Sequence, residues 1–162
     1  MKEMRSPAVR LQQGKRMLFM TQFAVRDLIS ENFYKVDRLD VQGGSGMQRL
    51  LNQSRARSFS RDILAADKYN EAFLPTSVFL ATNGSISFDE KSKEIFFSGD
   101  RKGDVFPFDV VDGQHRLEGL GMAARENPRI LDFPVAVVIA HQMSEAREDA
   151  AIHHGQHEAK GC

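Results

Sequence analysis

Asp112, Gly113, Gln114, His115 and Arg116 follow the apolar stretch Phe108-Asp-Val-Val and lead into Leu117, Leu120 and Gly121 at helical spacing. A strand that ends in Asp-Gly and passes at once into a helix puts Asp112 where it can cap that helix. Gly113 then permits a tight turn and close backbone approach. A helix N-terminus gathers unpaired N–H groups and a partial positive charge, which suits an anion. His115 and Arg116 add a titratable ring and a fixed cation at the same point. The five residues describe a phosphate cradle with an acid/base group beside it, and Asp112 and His115 are the candidate catalytic groups. The plainer alternative makes Asp112 a cap only and Arg116 a surface ion-pair partner.

A second cluster is purely cationic. Between Val41 and Arg61 there is no acid, while Arg49, Arg55, Arg57 and Arg61 all fall there. Residues 1–61 hold twelve Lys/Arg against five Asp/Glu, and residues 62–162 hold ten against seventeen. The formal net charge of zero therefore divides into +7 and −7. A basic front half can meet the phosphates of a nucleotide or of DNA; alternatively, the two halves attract each other across one domain.

Other chemistry finds little support. Ser54, Ser58 and Ser60 have no sequence-marked base, and Cys162 is the last residue. Gly43-Gly-Ser-Gly46 is not a phosphate-binding P-loop, because Gln48 and Arg49 stand where Lys-Ser/Thr is required; it reads as a hinge. His153 and His157 have the i, i+4 spacing of a helical zinc pair, but Gly155 lies between them and no third ligand is at useful spacing. No metal site is expected there.

The positioning elements follow from periodicity. Met17–Met20 predicts a short strand, Ala24–Ile29 a helical turn or two, and Met47–Ala66 one or two helices with an irregular Arg-Ser-rich middle. Thr76–Thr82 predicts a strand, Ile86–Phe88 and Glu94–Ser98 a hairpin, and Phe106–Val111 another strand. Gln114–Arg125 predicts a helix, Phe133–Ala140 a buried strand, and Glu145–Ala150 a short helix capped by Ser144. Strands mixed with helices predict an α+β (mixed α/β) domain with a small mixed sheet flanked by helices. Residues 1–15 are expected to fray, 16–150 to form the domain, and 151–162 to be a tail.

A chain of 162 residues, 41% hydrophobic and 27% charged, is ordinary for one globular domain. No stretch approaches the ~18 apolar residues that span a bilayer, so no membrane partner is expected. A single cysteine rules out an internal disulfide and points to a reducing cytoplasm.

Asp112-Gly-Gln-His-Arg116 resembles the signature of the DGQHR-domain family, whose DndB-like members belong to bacterial DNA sulfur-modification (phosphorothioation) systems. Gly46-Met-Gln-Arg49, with the strand after it, resembles that family's Gly-Tyr-Gln-Arg block, with Met47 in place of the aromatic. The resemblance covers about residues 15 to 150 and extends distantly to the ParB/sulfiredoxin-like fold. It implies a DNA- or nucleotide-binding regulator. It assigns Gln48, Arg49, Asp112, Gly113, Gln114, His115 and Arg116 to phosphate, while the acid-free basic stretch makes Arg49, Arg55, Arg57 and Arg61 the candidates for DNA. By this reading Gly113 and Gln114 offer backbone N–H groups and Arg116 neutralises the phosphate. His115 orients an oxygen or a water, and Arg49 approaches from the basic helix.

Two alternatives accompany it. One is a nucleoside triphosphatase using NTP with Mg²⁺, with Asp109, Asp112 and Glu118 as candidate carboxylates. The other is an inactive, truncated remnant. Family members continue with a segment resembling Phe-Thr-Thr-Val-Asn-Thr-Lys-Gln-Lys. Synonymous codons for Ile152–Gly161, read one base later, spell that segment. The expectation is a frame shift near Ala150 or Ala151, with a C-terminal part missing and apolar surface exposed around Val135–Ile139.

Overall fold

The computed structural model of the protein describes residues 2–36 and 46–141, with the backbone alone for 46–51. The expected hinge Gly43–Gly46 lies outside the described residues except for Gly46, which opens a helix. The helix expected at Glu145–Ala150, the tail 151–162 and the pair His153/His157 lie outside them altogether.

Among the described residues nine strands form two sheets. The larger has six strands in the order β2 (Val9–Gln13), β3 (Arg16–Ala24), β9 (Pro134–His141), β5 (Val78–Thr82), β8 (Phe108–Asp112) and β4 (Tyr34–Lys35). β9 runs parallel to β5 and β8 parallel to β4, while the other neighbours are antiparallel. The smaller sheet is antiparallel, in the order β1 (Glu3–Pro7), β7 (Glu94–Ser98), β6 (Ser87–Asp89). With them, among the described residues, are three α-helices: α1 (Val25–Leu28), α2 (Gly46–Asp67) and α3 (Gln114–Glu126). A 3-10 turn, Pro128–Asp132, follows α3. The fold is α+β, as the alternation of patterns predicts.

Alternation along the strands decides which face is dry. Phe19 and Phe23 of β3, Val135, Val137 and Ile139 of β9, and Val78 and Leu80 of β5 are all buried. Phe33, Phe97, Phe106 and Phe108 complete an aromatic cluster, with ring centroids 5.2 Å apart for Phe33–Phe106 and 5.4 Å for Phe106–Phe108. Such edge and tilted pairs add to simple area burial. Arg101 closes the cluster, its guanidinium 4.2 Å from the Phe106 centroid and hydrogen-bonded to the Ser30 hydroxyl and the Gly99 carbonyl.

Two expectations are corrected. Glu3–Pro7 and Val9–Gln13, expected to fray, are strands. β1 pairs with β7 from Glu3↔Ser98 to Pro7↔Glu94, and β2 pairs with β3 from Val9↔Met20 to Gln13↔Arg16. Their polar composition conceals one long-range ladder and one local hairpin, and Ser6 and Thr21 tie β1 to β3 through a 2.8 Å hydroxyl–hydroxyl bond. Nor is Val135–Ile139 an exposed apolar run. Val135, Val137 and Ile139 face the core, and only Ala136 is exposed with Val138 half-buried. The period of two in a strand divides the run between its faces.

The Met47–Ala66 span is one helix, α2. Its weak amphipathicity has a simple origin: the stripe that packs consists of small or polar residues, Asn52, Ala56 and Ser60, beside Phe59, Ile63 and Leu64.

Candidate functional site: two parallel helix N-termini and an arginine face

α2 and α3 pack side by side and run in the same direction. At their N-terminal ends Nε2 of His115 lies 2.9 Å from Oδ1 of Asn52. Midway, Gly119 sits against Ala56 and Phe59. At the C-terminal ends the Asn127 amide donates to Asp67 at 3.1 Å. Gly46–Arg49 and Gln114–Arg116, residues from the two sequence blocks, therefore open the two helices at the same end of the pair. The first turn of α3 is level with the second turn of α2, so both partial positive charges lie at this end of the pair. The side chains of Gln48 and Arg49 lie outside the described residues.

The turn itself differs from the sequence reading at one position. Asp112 does not cap α3. It remains in the β8 ladder opposite Phe79, so the cap position falls on Gly113, and no side chain caps the helix. Gly113 has φ of +107°, and a Cβ there would lie 3.1 Å from a Val78 methyl. Both the conformation and the space require glycine.

Arg116 is engaged within the fold. Its guanidinium donates to the Thr76 hydroxyl at 2.6 Å and to the Ser77 carbonyl at 3.1 Å, and it lies 3.5 Å from the Asp112 carboxylate. It braces the start of α3 against the entry to β5. Asp112 is exposed, with only that long ion pair. Gln114 donates to Glu118 at 3.4 Å. Oδ1 of Asn52 accepts, so Nε2 of His115 is the donor in their bond.

The third carboxylate, Asp109, pairs with Lys35 at 3.4 Å. Among the described residues, no three of His, Cys, Asp and Glu gather as a metal site would.

Arg55, Arg57 and Arg61 are exposed along α2, away from its packed stripe, and none forms an ion pair with a described residue. Three residues of this region carry no sequence signal: Asn52, Thr76 and Arg125. Asn52 and Thr76 are hydrogen-bond partners set by tertiary packing across 63 and 40 positions. Arg125 closes the last turn of α3.

Tyr34 reports on this helix face. Burial pushes its phenol above the ordinary tyrosine value, the Glu118 charge adds to the rise, and the Arg125 charge opposes it. Because the folded value is raised, the stabilising contribution is intact below pH ~10 and is lost as pH climbs through the folded value. In a Tyr69→Phe variant, which leaves Tyr34 as the sole tyrosine of the two in the chain, phenolate absorbance is expected to appear above the range of a model tyrosine. Appearance at the ordinary value would contradict the buried placement.

Among the described residues no helix is long and apolar enough to cross a membrane. No curated protein and no solved structure matches the chain. A family model described as DndB, DNA-sulfur modification-associated, matches residues 6–155. With nearly the whole sequence covered, including both helices and the Asp112–Arg116 turn, the chain belongs to the DndB family of DNA-sulfur modification-associated proteins.

Proposed function

We propose that this domain binds DNA through the outer face of α2 and serves as a regulatory protein of a DNA sulfur-modification system. The observation that carries the reading is the exposure of Arg55, Arg57 and Arg61 on one helix without an acidic partner among the described residues. Arginines held for surface ion pairing would have carboxylates near; arginines held for a polyanion need none. Arg49, one helical turn before Asn52, extends the same basic sequence towards the paired N-termini. Backbone contacts of this kind position a protein on DNA without reading its sequence.

The test is duplex affinity across salt. Contact with three or four phosphates gives a slope of log affinity against log salt of roughly −3 to −4. A flat salt profile, or no binding at 50 mM salt, would overturn the reading.

The paired N-termini favour a second reading, nucleotide phosphate at Gln114–Arg116, with His115 and the braced Arg116 beside it. Phosphate release from a nucleoside triphosphate that is lost on Asp112→Ala would support this reading over the first. No release from the unaltered chain would remove it.

A further inference from the structure

Arg57 and Arg61 lie one turn apart on α2, and across a groove of about 410 Å³ they meet Arg125 of α3. Three guanidinium groups from two helices thus line one cavity. Glu126 lines it too, but makes no ion pair with any of the three. The charge balance of the lining favours an anion.

Ser60 lines the groove as well and is only 5% exposed. Its hydroxyl can donate to an anionic oxygen.

The remaining lining, Leu64 and Met122, is apolar and half-buried. A phosphate oxygen gains nothing from such neighbours, since it gives up water for groups that cannot hydrogen-bond. A sulfur atom in the same non-bridging position is larger, more polarisable and less tightly hydrated. The methyl groups of leucine and the soft thioether of methionine suit it better. The family description, DNA-sulfur modification-associated, makes this a ligand chemistry the protein can meet.

We propose that the groove holds one DNA backbone phosphate, and that Leu64 and Met122 make it favour a phosphate bearing sulfur over one bearing only oxygen. Arg57, Arg61 and Arg125 hold the charge, Ser60 donates to an oxygen, and the apolar pair receives the sulfur. The inference rests on the DNA-binding reading and adds to it a site, a further residue in Arg125, and a discrimination.

The test uses the full chain and three short duplexes of identical sequence. One is unmodified. The other two carry sulfur of a single configuration, Rp or Sp, at every backbone phosphate of one strand. One configuration is expected to bind tighter than the unmodified duplex by about fourfold, the change that one buried methylene-sized group produces. Leu64→Asn with Met122→Gln is expected to abolish that preference while keeping affinity for the unmodified duplex within about twofold, which also shows that the variant is folded. Arg125→Ala is expected to weaken all three duplexes together. Equal affinity for all three duplexes would overturn this inference and leave DNA binding standing. A preference that survives the double substitution would move the discrimination elsewhere. Absence of binding to any duplex would remove both readings.

Discussion

Gly119→Val is expected to be the most damaging single substitution at the helix pair. A Cβ at residue 119 would lie 2.7 Å from the Ala56 carbonyl oxygen and 2.7 Å from a ring carbon of Phe59. The ring can turn aside; the carbonyl belongs to the α2 backbone and moves only with the helix. Alanine at the same position is the informative control. On an isolated helix Gly→Ala is favourable by about 1 kcal/mol. Here the steric cost acts in the opposite direction, and overpacking of this kind costs about 1–3 kcal/mol. Gly119→Ala is therefore expected to be destabilising on balance, and Gly119→Val more so, because its extra methyl groups enter the same gap. Urea denaturation of the two variants checks this. An alanine variant more stable than the parent would mean that the helices stand further apart than described. The separation has a second reading-out point, because the His115–Asn52 bond spans the same two helices and weakens as they part.

Charge reversal at Arg57 and Arg61 is expected to do the converse, sparing the fold and abolishing DNA affinity. Both side chains are exposed and unpaired among the described residues, and such positions change stability by no more than about 0.5 kcal/mol. Against DNA the same change removes two of the guanidinium groups that hold one phosphate and adds two repulsions. The salt slope is expected to shrink by about 1 or more, and affinity at 50 mM salt to fall by roughly tenfold or more. Anisotropy titration of a fluorescent duplex measures both. A variant that is folded and binds with an unchanged slope would take α2 out of the interface.

The parts of the fold legible in the sequence are those where period and burial coincide. α3, β5, β7 and β9 show the apolar spacing of their kind, and their bounds lie within two residues of expectation. β1 and β2 were illegible because their side chains are mostly exposed, and what orders them is backbone pairing with residues 94–98 and 16–20. α2 was ambiguous because its packing stripe is built from Asn52, Ala56 and Ser60, which carry little hydrophobic signal. At the site, the Asp112–Arg116 block stood out by residue type, and its strand-to-helix setting followed. The role of Asp112 did not, because a ladder pairing with Phe79, invisible in a local window, keeps it in the strand. Arg125 could not be linked to Arg57 and Arg61 before the parallel packing of the two helices was known.

β9 sits in the middle of the six-stranded sheet, between β3 and β5, yet it comes last among the described strands. Its pairing with β3 joins residues 17–24 to 134–141. Translation adds some 5–20 residues per second, so roughly 5–20 s separate the synthesis of the two strands. During that interval the nascent chain carries Phe19 and Phe23 on a strand whose only sheet neighbour is the edge strand β2. The larger sheet closes late and all at once, when β9 enters between partners already made. A ribosome-bound chain of this protein must keep an aromatic strand from wrong partners until then, which gives holding chaperones a defined window in which to act.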